Sequence, residues 1–381
     1  MLTGIIERNI KRAENSSVTT IRNNAFTYCL NLTTANFPNV TTIGNGAFQS
    51  CSNLATISFP VCMSINSVAF QNCITITTAD FPSATLIGDN AFQNCTNLTT
   101  VSFPNATMIS SFAFTNCSKL TNVSFSNVTT ISMGAFQSCT SLTTVSFPNA
   151  TLISNYAFQN CYSLTTASFP SVTSIGGSAF FNCYNLTTIN FQVCISIGPN
   201  AFQNCSKLTT ANFPNVTSIG SGAFQSCTSL TTVSFPNATL IDGNAFQYCS
   251  KLMEISFPNV TTIGGSTFTN CISLTTASFP NVTEIGGYAF SGCSNLTTAS
   301  FPNVKDIYLN TFKDCYKLVE LNLVGVTTIP MLYTGVFNST PIGNYSDIAG
   351  QYGSVYVPAS LYSSFITAQN WSSIASRIVS V

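Results

Sequence analysis

The apolar positions of this chain recur every 22 residues. Of the sixteen cysteines, all but Cys62 and Cys194 keep this period. Phenylalanine keeps it three residues before each cysteine and again in a second row, and isoleucine forms a further row. One aligned unit reads L-T-T-V-S-F-P-N-V-T-x-I-G-x-x-A-F-Q-N-C-x-x. A repeat of this length predicts a solenoid, because one unit cannot bury its apolar side chains alone and must stack on the next.

The pattern inside each unit predicts a short strand. Leu164, Ala167 and Phe169 have the L-x-x-L-x-L spacing of a leucine-rich repeat. Because side chains alternate along a strand, these three point inward, while Thr166 and Ser168 point outward. Proline cannot donate a ladder hydrogen bond, so the strand ends at Pro170 after about three to five residues.

The return half of each unit predicts irregular backbone. A glycine such as Gly176 supplies a turn, and the Ala-Phe-x-x-Cys spacing suits a single helical turn. The inward residues on this side of one coil are Val172, Ile175, Ala179, Phe180 and Cys183. The predicted fold class is therefore a β-rich solenoid: a right-handed leucine-rich-repeat coil of about fifteen 22-residue repeats with short parallel strands.

Departures from the period predict three regions. Residues 1–31 form an N-terminal cap and a first partial repeat, residues 32–339 the solenoid, and residues 340–381 a C-terminal cap. A small α/β cap is expected from a strand at 354–357, a helix after Pro358, and a last apolar segment with Trp371. Caps are needed because an open last coil exposes an apolar face and a strand edge.

Composition narrows the possible functions. The chain has 11 basic and 11 acidic residues, no net charge and no histidine. So few cations argue against nucleic acid or an anionic membrane surface as a partner. Without histidine, the usual histidine-based triads and metal sites are excluded, and we expect no enzyme activity, no cofactor and no metal. No apolar run is long enough to insert into a membrane, and residues 1–14 do not read as a signal peptide.

The unit resembles the BspA-like (Treponema-type) leucine-rich repeat through its Phe-Pro-Asn-Val, Ile-Gly and Ala-Phe-x-x-Cys elements, over residues 10–339. The C-terminal segment, with Val355-Tyr-Val-Pro-Ala-Ser-Leu and Asn370-Trp-Ser, is similar to the end of such proteins in gut bacteria and their phages. The resemblance implies a non-enzymatic adhesion or ligand-binding protein in an extracellular, cell-surface or virion location. Its implied partner is a protein or glycan on a cell surface.

The periodic cysteines are expected to be buried thiols. Equivalent residues in adjacent coils lie about 4.8 Å apart, whereas a disulfide prefers about 3.8 Å between its Cβ atoms. A one-dimensional row also cannot converge on a metal ion in a tetrahedral arrangement.

The outward Thr and Ser of the strands are the candidate ligand-binding face. Three explanations stay open: a polar face that keeps the strands soluble, a hydroxyl surface for a protein or glycan, or a lattice that matches ice or another crystal. Asn190 and a few other residues interrupt the rows. Aromatic Phe112 and Tyr156, before Ala-Phe pairs, are candidate contact anchors because aromatic residues concentrate binding energy. The candidate residues are Thr100, Thr144, Thr166, Thr188, Thr210, Ser146, Ser168, Asn190, Tyr156 and Phe112.

The sequence thus predicts recognition or adhesion through a neutral Thr- and Ser-rich sheet face. The alternative is a virion-associated structural or host-attachment protein of a phage, with other phage structural proteins as partners. The oligomeric state is not predicted.

Overall fold

The computed structural model describes residues 9–343 and 352–381, so the N-terminal residues 1–8 and part of the predicted loop after residue 340 lie outside the described residues. The chain divides into two compact units, Met1–Phe191 and Gln192–Val381. Each is a solenoid of short parallel strands, and together they comprise about 16 turns of about 22 residues. The predicted β-rich solenoid is confirmed.

Every coil contributes a short strand whose middle residue points inward. These three-residue strands pair in parallel and in register, so that Thr144, for example, lies beside Thr166. Pro170 or its equivalent follows eleven of the fifteen strands, as predicted; the exceptions are Arg12–Glu14, Asn122–Ser124, Thr188–Asn190 and Glu320–Asn322. In the first unit the strands are Arg12–Glu14, Thr34–Asn36, Thr56–Ser58, Thr78–Asp80, Thr100–Ser102, Asn122–Ser124, Thr144–Ser146, Thr166–Ser168 and Thr188–Asn190. In the second unit they are Thr210–Asn212, Thr232–Ser234, Glu254–Ser256, Thr276–Ser278, Thr298–Ser300 and Glu320–Asn322.

A second ladder runs along another side of each unit. Its strands have two residues, of which the second is the buried aliphatic residue of the Ile row. In the first unit they are Thr20–Ile21, Thr42–Ile43, Ser64–Ile65, Leu86–Ile87, Met108–Ile109, Thr130–Ile131, Leu152–Ile153 and Ser174–Ile175. In the second unit they are Ser196–Ile197, Ser218–Ile219, Leu240–Ile241, Thr262–Ile263, Glu284–Ile285, Asp306–Ile307 and Met331–Leu332.

Two interlocking rows of phenylalanine fill the core. Phe158 stacks on Phe180 with ring centroids 5.3 Å apart, and Phe169 stacks on Phe191 at 5.6 Å. The rows meet edge to face, with Phe169 and Phe180 inclined at 60°. All of these rings are buried, which confirms the predicted register. Offset-stacked and edge-to-face pairs are the arrangements that aromatic quadrupoles favour.

The segment around each Ala-Phe-x-x-Cys motif forms consecutive turns, which confirms the predicted irregular backbone, with bonds such as Cys161 N–H to the carbonyl of Phe158 at 3.2 Å. The single helical turn that the spacing suits does not form as a regular helix in the described residues. Two residues per coil have left-handed backbone, the one before the Ala and the one before the Cys, as at Tyr156 (φ 61°) and Asn160 (φ 60°). Left-handed residues interrupt a right-handed helix. Several amide groups instead bond the following coil: Phe158 N–H donates to the carbonyl of Ala179 at 2.8 Å. The turn therefore forms a third line of contacts between coils.

The second unit closes with the predicted strand and helices. Ser354–Val357 pairs with Glu320–Asn322 on one side and with Ile378–Ser380 on the other. Between these strands lie a 3₁₀ turn, Ala359–Leu361, a short α-helix, Tyr362–Phe365, and a second 3₁₀ segment, Ser372–Arg377. Trp371 is buried against Phe365, with ring centroids 5.1 Å apart, and its indole N–H donates to the carbonyl of Pro330 at 2.8 Å. The cap therefore covers the last apolar coil.

The three-residue shift near the end of the repeats is absorbed without losing the core. The strand Met331–Leu332 still pairs in register with Asp306–Ile307, and the Phe337 ring stacks on Phe312 at 6.2 Å. Val336 and Phe337 are buried and take the places of the Ala-Phe pair of the other coils. None of the helices in the described residues is both long and apolar enough to cross a lipid bilayer.

Candidate ligand-binding face

We call the outward side chains of the three-residue strands the Thr face. In each unit these are the first and third residues of every strand, and the middle residue, buried in most strands and half buried in the others, anchors them. The structure places all of the predicted Thr, Ser and Asn candidates on this face. Those exposed in the first unit are Thr100, Thr144, Ser146, Thr166, Ser168, Thr188 and Asn190, and Thr210 is exposed in the second unit.

The two threonines of each Thr-Thr pair have different roles. The first one fastens its coil to the preceding coil: the hydroxyl of Thr143 donates to the carbonyl of Thr121 at 3.0 Å, and that of Thr165 to Thr143 at 3.1 Å. The same bond recurs in the second unit, from Thr231 to Thr209 at 3.1 Å. These hydroxyls are committed to the fold.

The second threonine of the pair supplies the Thr face. Within the described residues, the hydroxyls of Thr100, Thr166, Thr188 and Thr210 have no hydrogen-bond partner in the protein. The hydroxyls of Ser146 and Ser168 have none there either. Exposed hydroxyls in this state are bonded to water and are available to a ligand, because replacing water costs the fold no internal hydrogen bond.

One candidate threonine is partly committed. The hydroxyl of Thr144 donates to the side-chain oxygen of Asn122 at 2.6 Å, and Thr143 contacts the same oxygen at 3.1 Å. Asn122 is one of the residues that interrupt the threonine row. It therefore orders the hydroxyls beside it, and this stretch of the face is less free than the coils of Thr166 and Thr188.

The two aromatic candidates lie off the Thr face. Phe112 and Tyr156 occupy the left-handed position before a buried Ala, with φ values of 58° and 61°. Phe112 is only half exposed, because its ring lies over Gly134 of the next coil, where an added Cβ would come within 2.4 Å of the ring. Tyr156 is 40% exposed and therefore remains a candidate contact residue. The structure does not bring these two rings together with the free hydroxyls.

Sequence reasoning missed an exposed aromatic pair in the two coils that carry Thr166 and Thr188. Tyr162 and Tyr184 follow buried cysteines in adjacent coils, and their rings stack at 5.4 Å. They precede Thr166 and Thr188 by four residues in the same two coils. The signal that could have found them is the residue after each periodic cysteine, which is polar in most coils and is tyrosine in these two adjacent coils and at Tyr316.

The asparagine after each Phe-Pro has a structural role that was also missed. The side-chain amide of Asn149 donates to the carbonyl of Ser126 at 2.7 Å, and that of Asn127 to Pro104 at 2.9 Å. The signal is that this position is Asn in most coils and Ser in two others, and the hydroxyl of Ser171 makes the same kind of bond, to the carbonyl of Pro148 at 2.8 Å. The many Asn-x-Ser/Thr sequences of the chain therefore arise from a bond between coils.

The cysteines provide no reactive chemistry at the surface. All sixteen are buried free thiols, and the periodic ones donate to a phenylalanine carbonyl one coil back, as in Cys95 to Phe70 at 3.2 Å. Burial raises the pKa of Cys51 and of Cys95 from the ordinary value of 9.0 to about 12. A thiol that keeps its proton is a poor nucleophile and a poor metal ligand.

Comparison with solved structures shows that this fold is that of a leucine-rich repeat protein. The crystal structure of a leucine-rich repeat protein from Bacteroides ovatus is similar at a TM-score of 0.67 and 22% identity, over 97% of this chain and 92% of that one. A leucine rich cell surface protein from Faecalibacterium prausnitzii is 26% identical over 86% of this chain and 88% of that one, with a TM-score of 0.47. No match was found among the curated proteins.

The sequence of the repeat identifies the family to which the chain belongs. The sequence model of the BspA type leucine rich repeat region matches residues 19–143, 63–184, 129–253 and 239–346. These overlapping ranges cover most of the chain, and they include the three-residue strands, the turns and the cysteines described above. The chain belongs to the BspA-type leucine-rich repeat family.

Proposed function

We propose that this protein is a non-enzymatic recognition or adhesion protein that binds a protein or glycan through the Thr face. The observation that carries the proposal is the division of labour within each Thr-Thr pair. One hydroxyl is used between coils, while the next, as at Thr166 and Thr188, is exposed and has no partner within the described residues. If the face served only to keep the strands soluble, any polar residue would suffice, and threonine would not need to recur in register over successive coils.

The neutral stretch of the first unit indicates how such a ligand is held. No charged residue occurs between Lys119 and Lys207. Binding to Thr166, Ser168 and Thr188 therefore depends on shape, hydroxyl hydrogen bonds and contact with the stacked Tyr162–Tyr184 pair. Many equivalent weak contacts in successive coils favour an extended or repetitive ligand, because such contacts add through multivalency.

A cell-surface location is part of the proposal. Family membership and the recognition role support it, since an adhesion protein must face its partner outside the cell. Lattice matching to ice is less well supported, because Ser and Asn interrupt the methyl-bearing threonines. No feature of the described residues favours the alternative role as a phage virion component.

The test is a screen of glycan arrays and host-cell surfaces, repeated with Thr144, Thr166 and Thr188 all replaced by lysine. These positions are outward, so the core is left intact, and the three lysines place long charged chains over the face. We expect the variant to fold and its binding to fall at least tenfold. Binding to the uncharged coils of Thr144, Thr166 and Thr188 should change little with salt, since these coils offer no charge to form an ion pair.

A matched control places the same charges on the other ladder of the same unit. Met108, Thr130 and Leu152 are consecutive outward positions of the two-residue strands. Replacing them by lysine creates the same repulsion between neighbouring coils and should leave binding unchanged. Equal binding by the parent and the Thr-face variant would overturn the proposal, and the edge around Tyr156 or the cap around Trp371 would be examined next.

A further inference from the structure

The Thr face of the second unit contains a shallow concavity of about 520 Å³. Three adjacent strands, Thr210–Asn212, Thr232–Ser234 and Glu254–Ser256, form it in parallel register. Their first residues make one row across the coils, and their third residues make a second row. Rows on one strand face lie about 7 Å apart, and coils about 4.8 Å apart. The six polar side chains of this grid are Thr210, Thr232, Glu254, Asn212, Ser234 and Ser256.

The floor of the concavity is apolar and its polar groups are free. Ala211 and Val233 are buried beneath the grid, and Ile255 is half buried. Within the described residues, none of the six polar side chains has a hydrogen-bond partner in the protein. A ligand can therefore take up all six without breaking an internal contact.

Glu254 gives this grid a charge that the Thr face of neighbouring coils lacks. Its exposed carboxylate forms no ion pair within the described residues. The nearest lysines in sequence, Lys207 and Lys251, stand three residues ahead of strand positions and do not line the concavity. A single unpaired carboxylate among five neutral hydrogen-bonding groups is complementary to a ligand with one cation and several hydroxyls.

We propose that this concavity is a subsite for an amino sugar unit of a glycan, with the sugar ammonium group on Glu254; the inference rests on the proposed function of the Thr face. The apolar C–H face of a pyranose ring covers Ala211, Val233 and Ile255, and its hydroxyls reach the Thr, Ser and Asn groups. A lysine side chain of a protein ligand would also supply a cation. Its stem is apolar, however, so the five neutral polar groups would face methylene groups and form no hydrogen bonds with it. The sugar matches both the charge and the hydroxyl content of the grid.

The experiment measures binding of a glucosamine oligosaccharide and of its N-acetylated counterpart by calorimetry, in slightly acidic buffer that keeps the free amine protonated. The two probes differ only in the amine. We expect the free-amine oligosaccharide to bind more tightly, and Glu254→Gln to weaken it about tenfold or more, because a hydrogen bond to a charged group is lost. Binding of the acetylated probe should be unchanged by this substitution.

Two control variants test whether the effect is specific to the carboxylate of Glu254. Glu320→Gln removes the carboxylate at the equivalent position of another strand in the same unit, outside the concavity, and should have no effect. Lys251→Gln should leave binding of the free-amine probe unchanged or tighten it. If Lys251→Gln weakens binding of the free-amine probe while Glu254→Gln does not, the Glu254 carboxylate does not hold the ammonium group and the proposal is wrong.

The remaining outcomes are also decisive. Equal affinity for the two probes, or no binding of either, overturns the amino-sugar subsite. So does a lysine oligomer that binds in a Glu254-dependent way while both sugars fail, since the partner is then a cationic protein segment. In each case the proposed function survives if the Thr144, Thr166 and Thr188 substitutions still abolish binding of a ligand found in the screen. No effect of those substitutions on any ligand is a failure of the proposed function instead.

Discussion

At the scale of single residues, two adjacent residues of the same type contribute differently to the stability of the fold. Thr165 and Thr166 are adjacent and both exposed, yet only the Thr165 hydroxyl bonds the preceding coil, at 3.1 Å to Thr143. The hydroxyl of Thr166 faces water and has no partner in the described residues. The sequence pattern alone distinguishes inward from outward positions, but it cannot show which of two adjacent threonines bonds the backbone of the preceding coil.

This difference predicts opposite effects of one substitution. Thr165→Val should lower the free energy of unfolding by about 0.5–1.5 kcal/mol, because it removes an internal hydrogen bond. Thr166→Val should leave stability unchanged or slightly higher, because valine is at least as good a strand former and no bond is lost. Denaturant unfolding of both variants checks this. Equal destabilisation by the two substitutions would contradict the assigned roles.

At the scale of elements, each coil is held by the strand, the two-residue strand and the turn, and the phenylalanine rows join them. We expect Phe180→Ala to lower the free energy of unfolding by about 3–5 kcal/mol, because it leaves a cavity inside two aromatic rows. Phe181→Ala is the matched control, since this neighbouring ring is only half buried. Hydrogen exchange should locate the weakened protection in the coils beside residue 180, and a comparable loss in both variants would contradict the assigned register.

The strands and the core were predictable because the 22-residue period repeats every inward position many times. The turn was not. An Ala-Phe-x-x-Cys spacing fits a helical turn, and the varied residues before the Ala, such as Phe112 and Tyr156, conceal a shared left-handed backbone. Asn and Gly at the same position in other coils are the clue, because they are the residues that accept this conformation most readily.

The candidate site was predictable only in part, for a related reason. Alternation along a strand indicates that Thr166 and Ser168 face outward. It does not reveal the concavity around Glu254, which depends on the register of three strands and on the size of the side chains beneath them. Among the aromatic residues, exposure of Tyr156 was predicted correctly, but Phe112 is covered in part by its own packing over Gly134.

At the scale of the whole molecule, the buried thiols link stability to pH. In the unfolded chain each thiol ionises near the ordinary value of 9.0, while burial raises the pKa of Cys51, Cys95 and Cys249 to about 12 in the folded chain. Between these values the folded state holds more protons, so the free energy of unfolding falls as pH rises. Each such thiol contributes about 1.4 kcal/mol per pH unit. Because several buried thiols act in the same direction, stability should fall steeply once the pH passes the ordinary pKa of the thiol.

We therefore expect full stability up to about pH 9 and cooperative unfolding within about one to two pH units above it. Circular dichroism should report the loss of strands, and ultraviolet absorbance of thiolate should rise in the same transition. Below it, thiol reagents should label the folded protein only after denaturant is added. Replacing Cys117, Cys139 and Cys161 by alanine lowers the number of protons released and should make the fall of stability with pH less steep, although the cavities lower stability at neutral pH. Thiolate that appears before the strands are lost would contradict this account, because it would mean that the thiols ionise within the intact coils.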